Sequence, residues 1–275
     1  MLLREVEYAR PHTVEEAIEL LSANDGARAL AGGQTLINVM KARAASPDVL
    51  VDLQDLDDLR GVHDLGNGSV EIGAMTTCSQ LVRDEAAGAR SILGEVAGRI
   101  ADVQVRNRGT IGGNVCSNDP TNHFPPLLVA LDASFTIRSA DGERTVSASE
   151  FFLGVYMTAA GPGDLLTKIT IPPGGQDGFA AVTIGRDGTG IVTAAASLNG
   201  GARIAIGCVD AVPVRASAME QRIGSDFSEE SVRAAVQGLG ATLDPPSDVH
   251  ASADYRRHLA EVLAVRAVAA ARDRR

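Results

Sequence analysis

The chain has 275 residues, and its 25 Lys and Arg residues against 35 Asp and Glu residues give a formal net charge of −10. Hydrophobic residues make up 45% and charged residues 22%, which is typical of a folded globular protein and excludes a disordered chain. Aromatic residues make up 3% and tryptophan is absent, so the acidic chain lacks the basic surface and stacking rings of a nucleic-acid-binding protein. The length suits about two domains.

The cysteines and the N-terminal residues indicate a cytoplasmic protein. Cys78, Cys116 and Cys208 show no C-x-x-C spacing, which argues against a disulfide framework, a zinc site or an iron–sulfur cluster held by this chain alone. Free thiols predict a reducing compartment. The charged first ten residues lack the apolar core of a signal peptide, and no apolar run approaches the roughly 18–20 residues of a membrane span.

The first 55 residues are predicted to form a β/α subdomain. A capping box at residues 13–16 begins an apolar pattern with helical spacing. A short strand at 28–31, a short helix at 36–42 and a buried strand at 49–53 are expected to follow.

Residues 56–172 are predicted to form a second subdomain with more antiparallel character. Alternating apolar residues at 70–74 and 134–138 indicate strands, the second of them in a hairpin. Helical spacing at 91–101 and 127–131 indicates helices between them.

Two prolines followed by two glycines at residues 172–175 predict a linker, because this composition disfavours both helices and central strands. The residues after the linker predict strands at 191–197 and 202–207 and helices at 228–239 and 253–271. We therefore expect an α+β C-terminal domain over residues 173–275.

Two glycine-rich loops, at residues 31–35 and 109–114, are the strongest candidates for a ligand site. Each lies between a strand-like and a helix-like segment. Paired glycines let the backbone approach a ligand closely, and their successive N–H groups form anion-binding nests next to a helix N-terminus. Two such loops in different subdomains predict a cleft that binds a diphosphate.

The sequence lacks the common motifs for catalysis and nucleotide binding. We find no G-x-G-x-x-G fingerprint, phosphate-binding P-loop, nucleophile elbow or H-E-x-x-H zinc motif, and the five histidines are scattered. A phosphorylated ligand without an evident acid, base or nucleophile is typical of a redox protein whose cofactor supplies the chemistry.

Three ordered segments resemble a known family. They are residues 31–36, residues 72–77, and residues 106–114 with the continuation to Asp119 and Pro120. The chain resembles, over nearly its whole length, the FAD-binding medium subunit of the molybdenum hydroxylases, the carbon monoxide dehydrogenase and xanthine dehydrogenase group. Residues 213–215 and 255–257 resemble features of its C-terminal domain.

The resemblance implies an α+β protein. Its FAD-binding domain, residues 1–172, is of the vanillyl-alcohol-oxidase-like type, with FAD between subdomains of about residues 1–55 and 56–172. A C-terminal α+β domain, residues 173–275, closes over the flavin.

The resemblance also implies which residues bind FAD. The expected pyrophosphate loops are Ala31, Gly32, Gly33, Gln34, Thr35 and Leu36, and Gly109, Thr110, Ile111, Gly112, Gly113 and Asn114. Residues expected elsewhere around the cofactor are Arg28, Gly73, Ala74, Thr77, Asp119, His123, Leu165 and Leu166. No catalytic side chain and no metal ligand is expected in this chain.

The sequence departs from the family at two positions. His123 stands where the family usually has an Asp that contacts the ribityl region of the flavin. Ala180 stands where the family commonly has a Lys, and the arginine-rich stretch after it is reduced to residues 186–189. The lost cation predicts a lower flavin potential, which an Ala180→Lys variant should raise.

Three functions remain open at this point. The first is an electron-transfer subunit that carries FAD between a small subunit with two [2Fe–2S] clusters and a terminal acceptor, beside a large molybdopterin subunit, in a dimer of heterotrimers. The second is a stand-alone FAD oxidoreductase of the same fold, for which Tyr156 and His123 are the only candidate catalytic groups. The third is a scaffold subunit that has lost FAD.

Overall fold

The computed structural model describes residues 2–185 and 188–274 of the chain. Its first unit is a parallel sheet of three strands, in the order β1-β3-β2. Its elements are β1 (Glu7–Ala9), α1 (Val14–Ser22), β2 (Ala27–Leu30), α2 (Leu36–Lys41) and β3 (Val49–Asp52). The Thr13 side chain accepts a hydrogen bond from the Glu16 N–H, which starts α1 at the position that the capping box predicts. The carboxyl ends of β2 and β3 lead into the first glycine loop and residue 54.

The second unit is an antiparallel sheet of five strands, in the order β4-β5-β10-β6-β7. A cluster of small helices is inserted after β5, so that this sheet and the helices enclose one apolar core. The elements are β4 (Val62–Asp64), β5 (Val70–Gly73), α3 (Cys78–Arg83), α4 (Ile92–Gly98), α5 (Val103–Arg108), α6 (Ile111–Ser117), α7 (Phe124–Ala130), β6 (Ser134–Ser139), β7 (Gly142–Ser147), α8 (Ala148–Phe151), β8 (Phe152–Gly154), β9 (Met157–Thr158) and β10 (Leu165–Ile171). Strands β8 and β9 pair in a separate small hairpin.

The C-terminal unit is a four-stranded antiparallel sheet, in the order β11-β12-β13-β14, covered by helices on one face. The elements are β11 (Asp177–Ile184), β12 (Thr189–Ser197), β13 (Arg203–Gly207), β14 (Val214–Arg215), α9 (Ser217–Ile223), α10 (Glu229–Ala235) and α11 (Ala253–Asp273). The opposite face packs against α7, all seven residues of which are buried. The predicted α+β class is confirmed.

The strands that are absent from the prediction include β1, β10 and β11. Strand β1 is only three residues long and mostly exposed, so it lacks an apolar pattern. Strand β10 is the central strand of its sheet, but threonines and a lysine interrupt its apolar residues, so it shows no regular alternation over its whole length. None of the helices in the described residues is long and apolar enough to cross a membrane.

A buried ion pair joins the second unit to the C-terminal unit. Arg90 Nε lies 2.9 Å from Asp177 Oδ2, and both side chains are only 1% exposed. Arg90 also donates to the backbone oxygen of Pro172 at 2.5 Å, and Asn199 Nδ2 donates to Asp177 Oδ1 at 3.2 Å. Gly175 N donates to Asn199 Oδ1 at 3.1 Å, so both ends of the proline–glycine segment between β10 and β11 are held by side chains.

Candidate functional site

The three sequence segments with paired or flanking glycines meet in space. Here residues 31–35 are the first loop, residues 72–77 the second loop and residues 109–114 the third loop. The second and third loops are joined by backbone hydrogen bonds, including Gly112 N to Ala74 O and Cys78 N to Gly109 O, each 2.9 Å long. The predicted convergence of residues far apart in the sequence is thus present in the fold.

Glycine is required where the first loop crosses the third. A Cβ built on Gly32 would lie 2.1 Å from the backbone oxygen of Arg108 and 2.9 Å from Gly109 Cα, well inside van der Waals contact. A Cβ on Gly112 would lie 2.6 Å from the Ala74 oxygen. Gly33 has φ +72°, the left-handed region that L side chains rarely adopt. Close approach and backbone handedness therefore explain the glycines.

The first loop presents unpaired backbone amides. The N–H groups of residues 32–35 donate to no backbone carbonyl within the two described ranges. Consecutive N–H groups of this kind favour an anion, since each supplies a partial positive charge and a hydrogen. The first loop is therefore an open nest for phosphate oxygens.

The third loop differs from the expectation that it offers its amides in the same way. The N–H groups of Ile111 and Gly112 donate to the second loop, and those of Gly113 and Asn114 donate to Thr110 Oγ1 and Thr110 O. These bonds begin α6 and anchor it to the second loop. The third loop consequently contributes shape, through its glycines, rather than open donors.

A cleft of about 280 Å³ opens along the first loop. It is lined by Leu30, Ala31, Gly32, Gly33, Gln34, Ile37, Asn38, Lys41, Gln54 and Arg108. Two of these side chains are cationic, and no residue among those that line the cleft is acidic. The cleft therefore combines a nest of amides with two positive charges, which suits a diphosphate.

Six of these lining residues were not predicted to bind a ligand, and four of the six are polar or charged. Asn38 and Lys41 are on α2, Gln54 follows β3, and Arg108 ends α5. The predicted helix at residues 36–42 was the only sequence signal that placed Asn38 and Lys41 near the first loop. Arg108 lies in the third segment that resembles the family, although it was not assigned to the cofactor. No local pattern marks Gln54, because it reaches the cleft only through tertiary contacts.

Several predicted residues lie elsewhere. Arg28 is an exposed residue of β2 whose guanidinium donates to the carbonyls of Asp25 and Ala27, so it braces its own turn. Leu165 and Leu166 are buried in the apolar cores of the first and second units, respectively. Their side chains are therefore packed rather than open to a ligand.

The remaining predicted residues lie around the loops. Thr35 is exposed and Leu36 half-buried at the start of α2. A Cβ on Gly73 would lie 2.4 Å from the Leu59 oxygen, and Thr77 caps α3. Asp119 Oδ1 accepts hydrogen bonds from the backbone and the hydroxyl of Thr121, in the turn after α6.

His123 is buried at the junction with the C-terminal unit. Its side chain is only 3% exposed, its ring lies 5.4 Å from the Phe179 ring, and its Nε2 has no hydrogen-bond partner in the part of the chain that the structure describes. Burial, helped by the nearby Arg99 guanidinium, lowers the pKa of His123 from its usual 6.5 to about 4. The imidazole is therefore neutral at pH 7.

This lowered pKa predicts acid sensitivity. The unfolded chain takes up a proton at His123 below about pH 6.5 while the folded chain resists it until about pH 4, so stability falls as the pH drops through this window. We expect a loss of up to about 3 kcal/mol, and a His123→Phe variant should remove most of that slope. Urea unfolding at pH 4.5 and pH 7 measures the change in the free energy of unfolding. The control is a His12→Phe variant, because His12 is exposed. Equal slopes in the wild type and His123→Phe would contradict the prediction.

Ala180 does not face the site, which corrects the interpretation of this departure. Its side chain is buried in the core between the C-terminal sheet and α11, whereas the neighbouring Phe179 points to the second unit. A lysine at residue 180 would bury its ammonium in that core, so the proposed Ala180→Lys comparison does not probe the flavin potential. Residues 186 and 187 of the reduced arginine stretch lie outside the described residues.

The residues present fit a diphosphate-bearing dinucleotide. The open amides, the two cations and the glycine crossing form one cradle, and two buried polar atoms, Asn114 Oδ1 and His123 Nε2, stand without partners in the described structure. No group of three or more His, Cys, Asp or Glu residues that suits a metal ion occurs among the described residues. The arrangement can bind and orient a nucleotide cofactor.

Comparisons with known proteins agree with this chemistry. A family model described as the FAD binding domain in molybdopterin dehydrogenase matches residues 4–174. A second, described as the CO dehydrogenase flavoprotein C-terminal domain, matches residues 179–271.

Individual relatives match over their whole length. The chain is 38% identical to the carbon monoxide dehydrogenase medium chain of Afipia carboxidovorans, covering 98% of this chain and 97% of that one. It is 36% identical to the glyceraldehyde dehydrogenase medium chain of Sulfolobus acidocaldarius, over 96% and 97%. Among solved structures, quinoline 2-oxidoreductase from Pseudomonas putida 86 superposes with a TM-score of 0.93 at 32% identity, over 99% of both chains.

Proposed function

Because this chain belongs to the FAD-binding medium subunits of the molybdenum hydroxylases, we propose that it is the electron-transfer subunit of such a complex. In this role it holds FAD between the [2Fe–2S] clusters of a small partner subunit and a terminal electron acceptor. The observation that carries the proposal is the cradle at the first loop, where open amides, Lys41 and Arg108 converge and no acidic residue is among those that line the cleft.

The chain's own residues would bind and orient the cofactor. The amides of the first loop, with Lys41 and Arg108, would hold the diphosphate, and Gly32 and Gly112 let the loops close around it. FAD, when bound, supplies the one- and two-electron redox chemistry. We assign no general acid or base to this chain, because positioning and electrostatics are sufficient for electron transfer.

Partners are part of the proposal. The small subunit would bring the clusters and the large subunit the molybdopterin, in a dimer of heterotrimers. Two facts support a division of labour: the relatives are named medium chains or subunits of dehydrogenases, and Cys78, Cys116 and Cys208 are separate thiols, two of them fully buried. These thiols also support the proposed cytoplasmic location.

Affinity purification of the tagged full chain from its native cells tests the proposal. We expect a yellow protein with flavin absorbance, accompanied by one iron–sulfur protein and one molybdopterin protein. Rapid flavin reduction that requires the iron–sulfur partner supports the electron-transfer role. Reduction of the isolated chain's flavin by an alcohol supports the stand-alone oxidoreductase instead. A chain that neither purifies with flavin nor takes up added FAD is the scaffold.

The two cations give a quantitative prediction. Changing Lys41 or Arg108 to Gln removes one charge-assisted contact with the diphosphate, worth about 1–2 kcal/mol, so FAD should bind about 10-fold more weakly in each variant. The dependence of affinity on salt should also weaken. Fluorescence titration of the flavin-free chain measures both. Arg233→Gln, which removes the same charge from the exposed side of α10, should bind FAD normally.

A further inference from the structure

Three carboxamide side chains line the cleft, and all three use their amino group on the protein. Gln34 Nε2 donates to the Gly32 carbonyl at 3.0 Å, Asn38 Nδ2 to the Gln34 carbonyl at 2.7 Å, and Gln54 Nε2 to Asp52 Oδ2 at 3.0 Å. Each therefore keeps its carbonyl oxygen for another partner. The cleft thus offers hydrogen-bond acceptors beside the donors of the phosphate cradle.

Gln54 is the most tightly held of the three. Its backbone N–H donates to Asp52 Oδ1 at 3.0 Å, and its backbone oxygen accepts from Arg60 at 2.9 Å. Asp52 ends the central strand β3 and is only 2% exposed. The Tyr8 hydroxyl donates to the same carboxylate oxygen as the Gln54 side chain.

The buried carboxylate fixes which end of the Gln54 amide is available. A carboxylate only accepts hydrogen bonds, so the NH2 group of Gln54 must face Asp52 and its Oε1 must face away. The Tyr8 hydroxyl donates to the same carboxylate, and that bond raises the pKa of Tyr8. Asp52 and Tyr8 are therefore positioning residues, and Gln54 Oε1 is the acceptor they present.

We infer that Gln54 selects the nucleotide half of the cofactor, by accepting a hydrogen bond from a hydroxyl or amino group of adenosine. This inference rests on the proposed function. The family resemblance places the C-terminal unit over the flavin ring, and none of the described residues of this unit lines the cleft, so the adenosine half is the one that lies there. A donor group next to a diphosphate is what a ribose hydroxyl or the adenine amino group supplies.

Calorimetric titration of the flavin-free full chain with ADP and its analogues tests the inference. The analogues are 2′-deoxy-ADP, 3′-deoxy-ADP and inosine diphosphate, which each lack one donor of ADP. Gln54→Met keeps the length of the side chain but removes the acceptor. We expect this variant to bind ADP about 10-fold more weakly and to bind one analogue as well as the wild type does, which identifies the donor. Equal weakening of all four nucleotides, or none, would overturn the inference.

The positioning residues have a separate signature. Asp52→Asn lets the Gln54 amide rotate, so the preference for ADP over the identified analogue should fall towards 1, while adding Gln54→Met should change it no further. Tyr8→Phe should lower the preference by a smaller factor. Gln176→Met, on an exposed residue beside β11, is the matched control and should change nothing.

The outcomes also separate the two proposals. If the wild-type chain binds FAD, but the wild type and the Gln54→Met variant show the same preference among the nucleotides, only the inference is overturned. A wild-type chain that binds neither FAD nor ADP overturns the proposed function as well.

Discussion

A Gly32→Ala chain is expected to lose FAD. The added methyl group would lie 2.1 Å from the backbone oxygen of Arg108 and 2.7 Å from its carbonyl carbon, and backbone atoms of the third loop have no room to retreat because hydrogen bonds anchor that loop to the second loop. The two sides of the phosphate cradle must therefore separate. We expect FAD affinity to fall by at least about 100-fold and stability by about 2–3 kcal/mol, the usual range for overpacking.

Flavin content per chain after gel filtration, with fluorescence titration of added FAD, measures the effect. Gly88→Ala is the matched control, since a Cβ there meets no atom within 4 Å and its φ is not positive. The FAD affinity of Gly33→Ala should lie between those of Gly32→Ala and Gly88→Ala. The left-handed backbone of Gly33 strains an alanine by about 1 kcal/mol, but the added Cβ meets no backbone atom. A Gly32→Ala chain with a full complement of flavin would show that the cradle is elsewhere.

The second large effect is expected at the junction of the second unit and the C-terminal unit. Replacing Arg90 with Met leaves Asp177 as an uncompensated buried carboxylate, and this should lower the free energy of unfolding by about 3–5 kcal/mol. Asp177→Leu should have an effect of similar size, because it leaves the buried Arg90 guanidinium without its charge partner. In either variant the C-terminal unit loses its ionic link to the second unit.

Urea unfolding of the two single variants and the double variant gives the coupling energy. We expect the double variant to be less destabilised than the sum of the single variants, since it leaves no unpaired charge. Arg233→Met, which breaks an exposed pair with Glu229, is the control and should change stability by less than about 0.5 kcal/mol. Additive effects at Arg90 and Asp177 would mean that the two side chains act independently.

Much of the fold follows from short-range signals. The N-cap at Thr13, the hairpin of β6 and β7 and the strands β12 and β13 are all present close to their predicted bounds. These elements depend on capping, turn chemistry and alternation, which act between neighbours in the chain. Strand β10 was missed because its sequence lacks a regular alternation and because the strands that pair with it, β5 and β6, are distant in the sequence.

The candidate site also combines features that neighbouring residues indicate with features that depend on distant contacts. Its glycine pairs could be recognised in the sequence, but the close approach that requires glycine at residues 32 and 112 is made only in the tertiary structure. The direction of Ala180 could not be predicted, since which face of β11 meets α11 depends on packing across the whole C-terminal unit. Nor could the state of the third-loop amides be predicted, because their acceptors at Ala74 and Thr76 come from another segment.

The amino-acid sequence by itself determined the family, the α+β class, the cofactor and the two glycine loops, because each of these follows from the order of residue types along the chain. Only the tertiary structure decided that Lys41, Gln54 and Arg108 share one cleft, that one loop keeps its amides open, and that Asp52 orients Gln54. These features are pairings between groups that lie tens of residues apart, and such pairings exist only once burial has brought the segments together.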